Sequence, residues 1–390
     1  MSQEIDFLAV VGKLVSLSLV ESATTHANQS ANYRVTTILE SLLETVLSEE
    51  EWQAARQQAV RKIHQAWWEE NENPTAAERL EIVRLGLLAK EQEIAVTIGH
   101  RIANNWVNNS RFVEALDLCE QVLAVFTDYR ILGTVARAEA VLGFVQEAVI
   151  HYQQALDLCP EEELQEKATT LNNMALVFRQ QGDITRAIAL WEQSLEIQQQ
   201  IGDVKGKATT LNNMALVFRQ QGDITRAIAL YEEVASTLGQ IRAYSDLVTV
   251  LSNLGLTAES NNLVYLAQAM WLMLRIQAPL ADTIYLIRAL YNRVPQGDEL
   301  EALLGATAMF FCNRRGEGHP QLEELQERSV KIVLGAANAQ GIETQEALAN
   351  WCVQQRLNDP DYYLPRLNQR LEEIVGDEWL FDRSQVSVGE

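Results

Sequence analysis

The chain has few of the residues that break a fold. Among 390 residues it has 7 prolines and 19 glycines, and no stretch has a collagen-like, Pro-rich or polar low-complexity composition. Hydrophobic residues make up 47% of the chain, which is enough apolar material to bury a core. We therefore expect order nearly throughout, in two or three domains or in one extended repeat array.

Cysteine pairs and long apolar runs are also lacking. The four cysteines lie far apart, with no CxxC or zinc-ligand spacing: Cys119, Cys159, Cys312 and Cys352. This usage is typical of small buried side chains in a reducing compartment. The apolar stretch Phe7 to Val20 is preceded by acids rather than a basic segment, and it is shorter than the roughly 20 apolar residues that span a bilayer. We predict a cytoplasmic protein without a membrane span.

Positive charge is scarce. Lys and Arg number 31 against 53 Asp and Glu, a net charge of −22, and such a field repels phosphate backbones. The densest basic runs, Arg56 to Lys62 and Arg314-Arg315, are short and have acids nearby. We therefore expect no nucleic-acid partner.

Catalytic and cofactor motifs are missing as well. The chain has no Walker A, HExxH, GxSxG or dinucleotide-binding sequence. Its five histidines occur singly: His26, His64, His100, His151 and His319. We predict neither enzymatic activity, nor a cofactor, nor a metal, although a site assembled from distant helices needs no local motif.

What the chain does contain is a block that occurs twice. Lys167 to Leu190 reads KATTLNNMALVFRQQGDITRAIAL, and Lys207 to Leu230 is identical, which gives a period of 40 residues. Each copy has two stretches with apolar residues at helical spacing, separated by Gln-Gln-Gly-Asp. Gly182 is suited to end the first helix and Asp183 to cap the second. The block therefore predicts a helical hairpin.

The pattern within this hairpin resembles the tetratricopeptide repeat. Large, small and aromatic residues alternate in that family's order at Leu171, Met174, Ala175, Phe178, Ala187, Trp191 and Ser194. Small residues let the two helices approach, and large residues fill the space beside them. The resemblance implies an all-α fold, a right-handed superhelix of stacked hairpins with helical capping regions at both ends.

Weaker copies flank the duplicated block. We predict five hairpins near residues 96–128, 129–167, 168–207, 208–247 and 248–281, with Glu139 and Ala258 standing where two of them need an aromatic residue. The 40-residue units exceed the usual length of about 34. This longer format resembles the repeats of kinesin light chains and related scaffold proteins, over roughly residues 129–281.

The ends are expected to cover the stack. We predict a helical bundle over residues 1–74, the solenoid over 75–281, and degenerate hairpins with a C-terminal cap over 282–390. Ser48 with Glu51, and Thr75 with Glu78, have the spacing of capping boxes. The predicted helices of the first region are Glu4 to Leu19, Tyr33 to Leu47 and Glu49 to Glu70. The last of these carries Trp67-Trp68, and adjacent residues on an α-helix do not both face inward.

A partner is expected on the first helices of the hairpins, which line the concave side of such a superhelix. Helical periodicity places six positions of each unit on that face. In the unit near Val248 they are Thr249, Ser252, Asn253, Leu256, Glu259 and Ser260. In the two identical units they include the candidate peptide-binding residues Asn172, Asn173 and Arg179, and Asn212, Asn213 and Arg219.

The chemistry of these side chains fits an extended peptide. A row of amides at Asn173, Asn213 and Asn253 offers donors and acceptors to peptide groups, a role that the matching asparagines have in similar repeats. Arg179 and Arg219 are suited to an acidic side chain or a C-terminal carboxylate. An asparagine in a first helix can instead bond the neighbouring hairpin, so the structural alternative stays open.

These patterns predict a scaffold or adaptor that binds a protein or peptide in its concave groove. Two alternatives remain. One is a peptide-sensing regulator in which residues 1–74 form an effector bundle, by analogy with bacterial aspartyl-phosphate phosphatases and quorum-peptide receptors. The other is a self-assembling structural protein, since near-identical repeats can stack between chains into a homo-oligomer.

Overall fold

A computed structural model describes residues 20–24, 31–35, 48–278, 280–315 and 322–386. Two short strands come first, β1 (Val20–Thr24) and β2 (Ala31–Val35), which pair antiparallel with Val20 opposite Val35. The predicted helix that begins at Tyr33 is therefore wrong over residues 33–35. The segments VESAT and ANYRV contain β-branched and aromatic residues that favour strands. The helix predicted over residues 4–19 lies outside the described residues.

The described part of the chain forms two compact units, which divide between Leu158 and Cys159. The domain limits at 74 and 281 that the sequence suggested fall inside these units. In the described residues, no helix is long and apolar enough to cross a membrane.

Unit 1 is a sequence-ordered stack of helices. Its helices are α1 (Glu49–His64), α2 (Ala76–Leu88), α3 (Gln92–Asn108), α4 (Phe112–Leu123), α5 (Tyr129–Leu142) and α6 (Val145–Leu158). Each helix packs on the next, and α3 also contacts α5. Their shared core includes the fully buried Ile82, Val96, Ile98, Val122 and Ile131. The two predicted capping boxes are confirmed at the starts of α1 and α2.

Unit 2 continues the same plan. Its helices are α7 (Leu164–Gln180), α8 (Ile184–Ile201), α9 (Val204–Gln221), α10 (Ile224–Gln240), α11 (Tyr244–Thr257), α12 (Asn262–Ile276), α13 (Leu280–Tyr291), α14 (Glu299–Arg315), α15 (Leu322–Ala339), α16 (Gln345–Gln354) and α17 (Pro360–Val375). Consecutive helices pack against each other from α7 to α15, whereas α17 returns to contact α12 and α14.

The duplicated block folds as the predicted hairpin in both copies. Gly182 and Gly222 adopt the left-handed conformation, with φ of 80° and 83°, where a glycine avoids the strain of a side chain. Asp183 caps α8 by accepting the backbone N–H of Arg186 at 3.1 Å. At the centre, Trp191 is completely buried, as its position in the repeat pattern predicts. Local sequence thus fixes both the turn and the packing of each hairpin.

The hairpin of α5 and α6 replaces its aromatic residue with a polar pair. Glu139 is buried and lies 2.7 Å from His151 Nδ1 of the facing helix. Burial raises the pKa of the Glu139 carboxyl, and the negative charges of Glu147 and Glu120 act in the same direction. The hydrogen bond with His151 opposes this shift. The repeat position that is apolar in the other hairpins therefore carries an ionisable group in this one.

The C-terminal segment covers α12. Trp271 donates its indole N–H to Glu372 of α17 at 2.9 Å, and its ring contacts Trp379 at 5.1 Å between centroids. The buried Gln268 bonds the carbonyl of Glu378 at 2.9 Å and the N–H of Leu380 at 2.9 Å. These contacts leave one face of α11 and the start of α13 to border the cavities described below.

Candidate peptide-binding site

The seven candidate residues lie on the first helices of three consecutive hairpins. Asn172, Asn173 and Arg179 lie on α7, Asn212, Asn213 and Arg219 on α9, and Asn253 on α11. All seven are partly buried. Their side chains are thus neither core nor freely solvated, which is the exposure expected for residues that contact a partner or a neighbouring repeat.

One pair of these asparagines joins two repeats. The side-chain N–H of Asn213 donates to Asn172 Oδ1 at 3.3 Å, and the hydroxyl of Thr210 donates to the same oxygen at 3.4 Å. Unit 1 has a contact of the same kind, between His100 Nδ1 and Thr134 Oγ1 at 3.1 Å. The structural alternative therefore applies to Asn172, whose oxygen links α7 to α9.

The next repeat does not make this contact. Asn212 Oδ1 is buried and has no hydrogen-bond partner. At the position that corresponds to Thr210, the chain has Val250, which has no hydroxyl to donate. Within the described residues, the amide of Asn253 makes no hydrogen bond to α9. The link between α9 and α11 is therefore missing, and the Asn253 amide is available to another group.

The two candidate arginines are not neutralised within the protein. Among the described residues, neither Arg179 nor Arg219 forms an ion pair with a carboxylate. Arg219 lies close to the buried Tyr231, whose pKa is raised by burial while the arginine charge lowers it. Both guanidinium groups are therefore open to an acidic group of a partner.

A cavity of about 240 Å³ lies beside Asn253. Four of the six predicted partner-facing positions of α11 line it, namely Thr249, Ser252, Asn253 and Leu256. The opposite wall comes from the end of α12 and the start of α13, and it includes Met273, Ile276, Asp282 and Tyr285. The α11 residues that helical periodicity predicts to face a partner thus form one wall of a cavity.

A second cavity of about 460 Å³ adjoins the first, with which it shares Ser245, Ile276 and Ala278. Its far end is lined by Lys205 and Arg242. The two cavities together form a groove, hereafter the α11 groove. The far end also carries Asp246, which lies 3.6 Å from Lys205, and the other end has Asp282.

Most hydroxyl donors of the α11 groove are already used. Thr249 donates to the carbonyl of Ser245 at 3.4 Å, and Ser252 donates to the carbonyl of Val248 at 2.8 Å. The amide of Asn253 and the carboxylate of Asp282 are not used in this way within the described residues. These two groups are open to a partner, and the apolar residues Leu256, Met273 and Ile276 also line the groove.

The repeat pattern agrees with a known family. A family model described as Tetratricopeptide repeat matches residues 129–200 and 166–239. The matched segments include α7, α9 and the duplicated block, which carry six of the seven candidate residues. Residues 129–239 of this chain are therefore tetratricopeptide repeats.

Solved structures of other proteins are similar to this chain. BtubC from P. vanneervenii is 17% identical with a TM-score of 0.34, over 64% of this chain and 94% of that chain. Repeats of a putative kinesin light chain from Podosopora anserina are 20% identical with a TM-score of 0.32, over 62% and 95%. The Rap conjugation regulator of plasmid pLS20, solved with the Phr* peptide, is 14% identical with a TM-score of 0.36, over 74% and 99%. No curated protein matches this chain significantly in sequence.

The tetratricopeptide pattern did not indicate the second wall of the α11 groove. Asp282 and Tyr285 lie three residues apart, so one helical face carries both. That spacing was readable from the sequence. Their position opposite α11 depends on the left-handed backbone at Gln277, with φ of 53°, which ends α12 and directs the chain into α13. A non-glycine residue in that conformation gives no reliable signal in a sequence.

The part of the chain that the structure describes has no cluster of metal-ligating side chains. No three His, Cys, Asp or Glu side chains are grouped there so as to hold an ion. The His151–Glu139 pair is a hydrogen-bonded dyad inside a hairpin rather than part of such a group.

Proposed function

We propose that this chain is a scaffold or adaptor that binds an extended peptide segment of a partner protein along α7, α9 and α11. The observation that carries the proposal is the coincidence of the α11 groove with the face that periodicity selected. Four of the six selected positions border one cavity. Concave sites with a few polar groups and an apolar wall are the usual form of ligand sites.

Asn253 is the proposed backbone contact of the groove. Its amide offers two donors and one acceptor, the groups that pair with the carbonyl and N–H of an extended chain. Asn173 has the same role on α7, and Asn213 contributes what its bond to Asn172 leaves unused. Backbone contacts of this kind hold a peptide irrespective of its side chains, so they supply affinity rather than specificity.

Specificity is assigned to the charged and apolar groups. Arg179 and Arg219 take an acidic side chain or a C-terminal carboxylate, since no described acid neutralises them. Leu256, Met273 and Ile276 form an apolar wall for one hydrophobic side chain of the partner. Asp282 then favours a basic residue beyond that side chain. The proposed ligand is therefore a peptide with separated acidic and basic ends.

The proposed setting is the cytoplasm. All four cysteines are free thiols, as expected for a reducing compartment, and the net charge of −22 disfavours nucleic acid as the partner. We propose no catalytic role for the chain, since its repeats build an interaction surface.

The test is selection of peptides on the immobilised full chain from a random phage-displayed library. Selected peptides are synthesised, and their dissociation constants are measured by fluorescence anisotropy. Asn253→Ala and Arg219→Ala are expected to weaken binding. The loss of a neutral hydrogen bond costs about 0.5–1.5 kcal/mol, and the loss of a charged one about 1.5–3 kcal/mol.

Gln193→Ala is the matched control, because Gln193 is an exposed amide on the second helix α8. It is expected to leave binding unchanged. Circular dichroism shows whether each variant is folded. The proposal is wrong if selected peptides bind Asn253→Ala and Arg219→Ala as tightly as wild type, or if Gln193→Ala weakens binding equally.

Two other functions remain predictions from the sequence. Self-assembly predicts a mass above that of one chain, which light scattering coupled to size-exclusion chromatography measures. A regulator with an N-terminal effector predicts that removal of residues 1–74 abolishes the output of a bound peptide. No described contact favours either function over peptide binding.

A further inference from the structure

A second groove lies in unit 1, beside the tryptophans that the repeat pattern does not explain. We name it the arginine groove; its volume is about 670 Å³. It is lined by Trp68, Ala76, Arg79, Leu80, Arg101, Ile102, Asn105, Trp106, Asn109 and Arg111. Three of these residues are arginines and none is acidic, although the whole chain carries a net charge of −22. The residues that line the groove thus carry positive charge, whereas the protein as a whole carries a net negative charge.

Two of the three arginines are uncompensated. Within the described residues, Arg79 and Arg101 form no ion pair, and Arg79 Nε is buried without a hydrogen-bond acceptor. Arg111 differs, because its Nε lies 3.0 Å from Glu114. A buried donor of a charged group that has no acceptor is costly, which indicates that an acceptor from outside the chain belongs there.

The tryptophans hold the arginines in place. The guanidinium carbons of Arg79 and Arg101 lie 5.8 and 5.2 Å from the ring centroid of Trp68. That of Arg111 lies 4.7 Å from the ring of Trp106. Cation–π contacts of this kind orient the planar groups before any ligand arrives. The rings therefore act on the arginines rather than as free stacking platforms.

Trp68 reaches this position because α1 ends in a π-helical turn, Gln65–Glu69. Glu70 donates its backbone N–H to the carbonyl of Gln65 at 2.9 Å, one residue farther than in an α-helix. Trp67 and Trp68 both pack partly buried against the core of unit 1, which adjacent residues on a regular α-helix do not achieve. Such turns occur frequently at functional sites.

We propose that the arginine groove binds a carboxylate of a partner peptide, either an acidic side chain or a free C-terminus. The guanidinium fork matches a planar carboxylate through paired hydrogen bonds. A polynucleotide fits less well, because the rings are already engaged by arginines and the acidic protein repels successive phosphates. This site lies in unit 1 and does not depend on the α11 groove.

The test is a fluorescence anisotropy titration of the full chain with four labelled probes of equal length. The first is an Asp/Glu-containing peptide with an amidated C-terminus, and the second is an uncharged peptide with a free C-terminus. The third is the uncharged peptide amidated, and the fourth is a single-stranded oligonucleotide. Tighter binding of the first or the second identifies the source of the carboxylate; the third is expected to bind more weakly than both.

Arg79→Gln and Arg101→Gln are each expected to weaken the binding roughly ten-fold or more. Arg84→Gln is the matched control, because Arg84 lies on the same helix as Arg79 but is paired with Glu81, and it is expected to stay within about two-fold of wild type. Arg101 is exposed, so its variant keeps the core intact even where the Arg79 variant unfolds. The titrations are repeated in an Asn253→Ala background, where the loss caused by Arg101→Gln is expected to remain, which separates this site from the α11 groove.

Three results overturn the proposal. The first is equal binding of the amidated uncharged peptide. The second is wild-type affinity in a folded Arg101→Gln variant. The third is binding of the oligonucleotide in preference to both carboxylate peptides, which assigns the groove to nucleic acid instead.

Discussion

The missing hydrogen bond between α9 and α11 can be restored by one substitution. Asn172 Oδ1 accepts from Thr210, whereas the equivalent Asn212 Oδ1 is buried without a partner beside the repeat that has Val250. Val250 is only 3% exposed and has nearly the shape of threonine. Val250→Thr therefore places a hydroxyl where the other repeat junction has one, with little change in volume.

Three contributions set the expected magnitude. A satisfied acceptor removes a penalty of about 1–3 kcal/mol for a buried unpaired group. The lost methyl group costs about 0.8 kcal/mol of apolar burial, and burial of the new hydroxyl takes up part of the remaining gain. We expect Val250→Thr to be about as stable as wild type or up to about 1 kcal/mol more stable. Most valine-to-threonine changes in a core destabilise instead.

The measurement is urea unfolding followed by circular dichroism. Val217→Thr is the control, because Val217 on α9 is also buried; we expect a loss of about 1–2 kcal/mol. The advantage of Val250→Thr should vanish in an Asn212→Ala background. If Val250→Thr destabilises the protein as much as Val217→Thr does, the new hydroxyl does not bond the unpaired oxygen of Asn212. The reasoning about the missing hydrogen bond between α9 and α11 is then wrong.

Three further outcomes follow from buried groups. Tyr231→Phe should raise stability by about 1 kcal/mol in thermal unfolding, since the buried Tyr231 hydroxyl has no partner; a clear loss would mean that it has one. The pKa of the Glu139 carboxyl is higher in the folded protein than in the unfolded chain, so the carboxyl stabilises the fold at pH values below its unfolded pKa. This stabilisation is lost as the pH rises through the pKa of the folded protein. Wild type should therefore lose stability relative to Glu139→Gln between about pH 4 and pH 8, by about 1.4 kcal/mol for each unit by which the folded and unfolded pKa differ. A stability difference between the two proteins that stays constant with pH contradicts this. Burial raises the pKa of Cys119 to about 12, so mass spectrometry after iodoacetamide treatment should show Cys159 alkylated before Cys119; equal rates for these two thiols contradict the packing.

The hairpins could be predicted from the sequence because their determinants are local. Gly182 ends a helix through its own backbone freedom, and Trp191 is buried at the position that the repeat pattern predicts. The capping box of Ser48 and Glu51 likewise involves residues three apart. The residues that determine these features lie within about one hairpin of each other in the sequence, so they can be recognised without knowledge of the tertiary structure.

The remaining features depend on contacts between distant segments. The π-helical turn before Glu70 is compatible with an ordinary helix pattern, and only packing of both tryptophans against unit 1 distinguishes it. The wall formed by Asp282 requires α13 to follow a left-handed residue. The pairing of β1 with β2 was missed because apolar spacing near Tyr33 also fits a helix. In each case several local structures were compatible with the sequence, and tertiary packing selected one.

The duplicated block separates what a repeat determines from what its neighbours determine. Both copies cap the second helix identically, since Asp183 and Asp223 each accept an N–H at 3.1 Å from a residue of the same copy. Asn172 and Asn212 are identical in sequence and surroundings within the block, yet one oxygen accepts two hydrogen bonds and the other accepts none. The difference arises in the following repeat, where Val250 stands in place of a threonine. Contacts inside a block are therefore copied with it, whereas the contacts on its faces depend on the adjacent repeat. For that reason the duplication specifies the solenoid, while the α11 groove arises where the duplication ends.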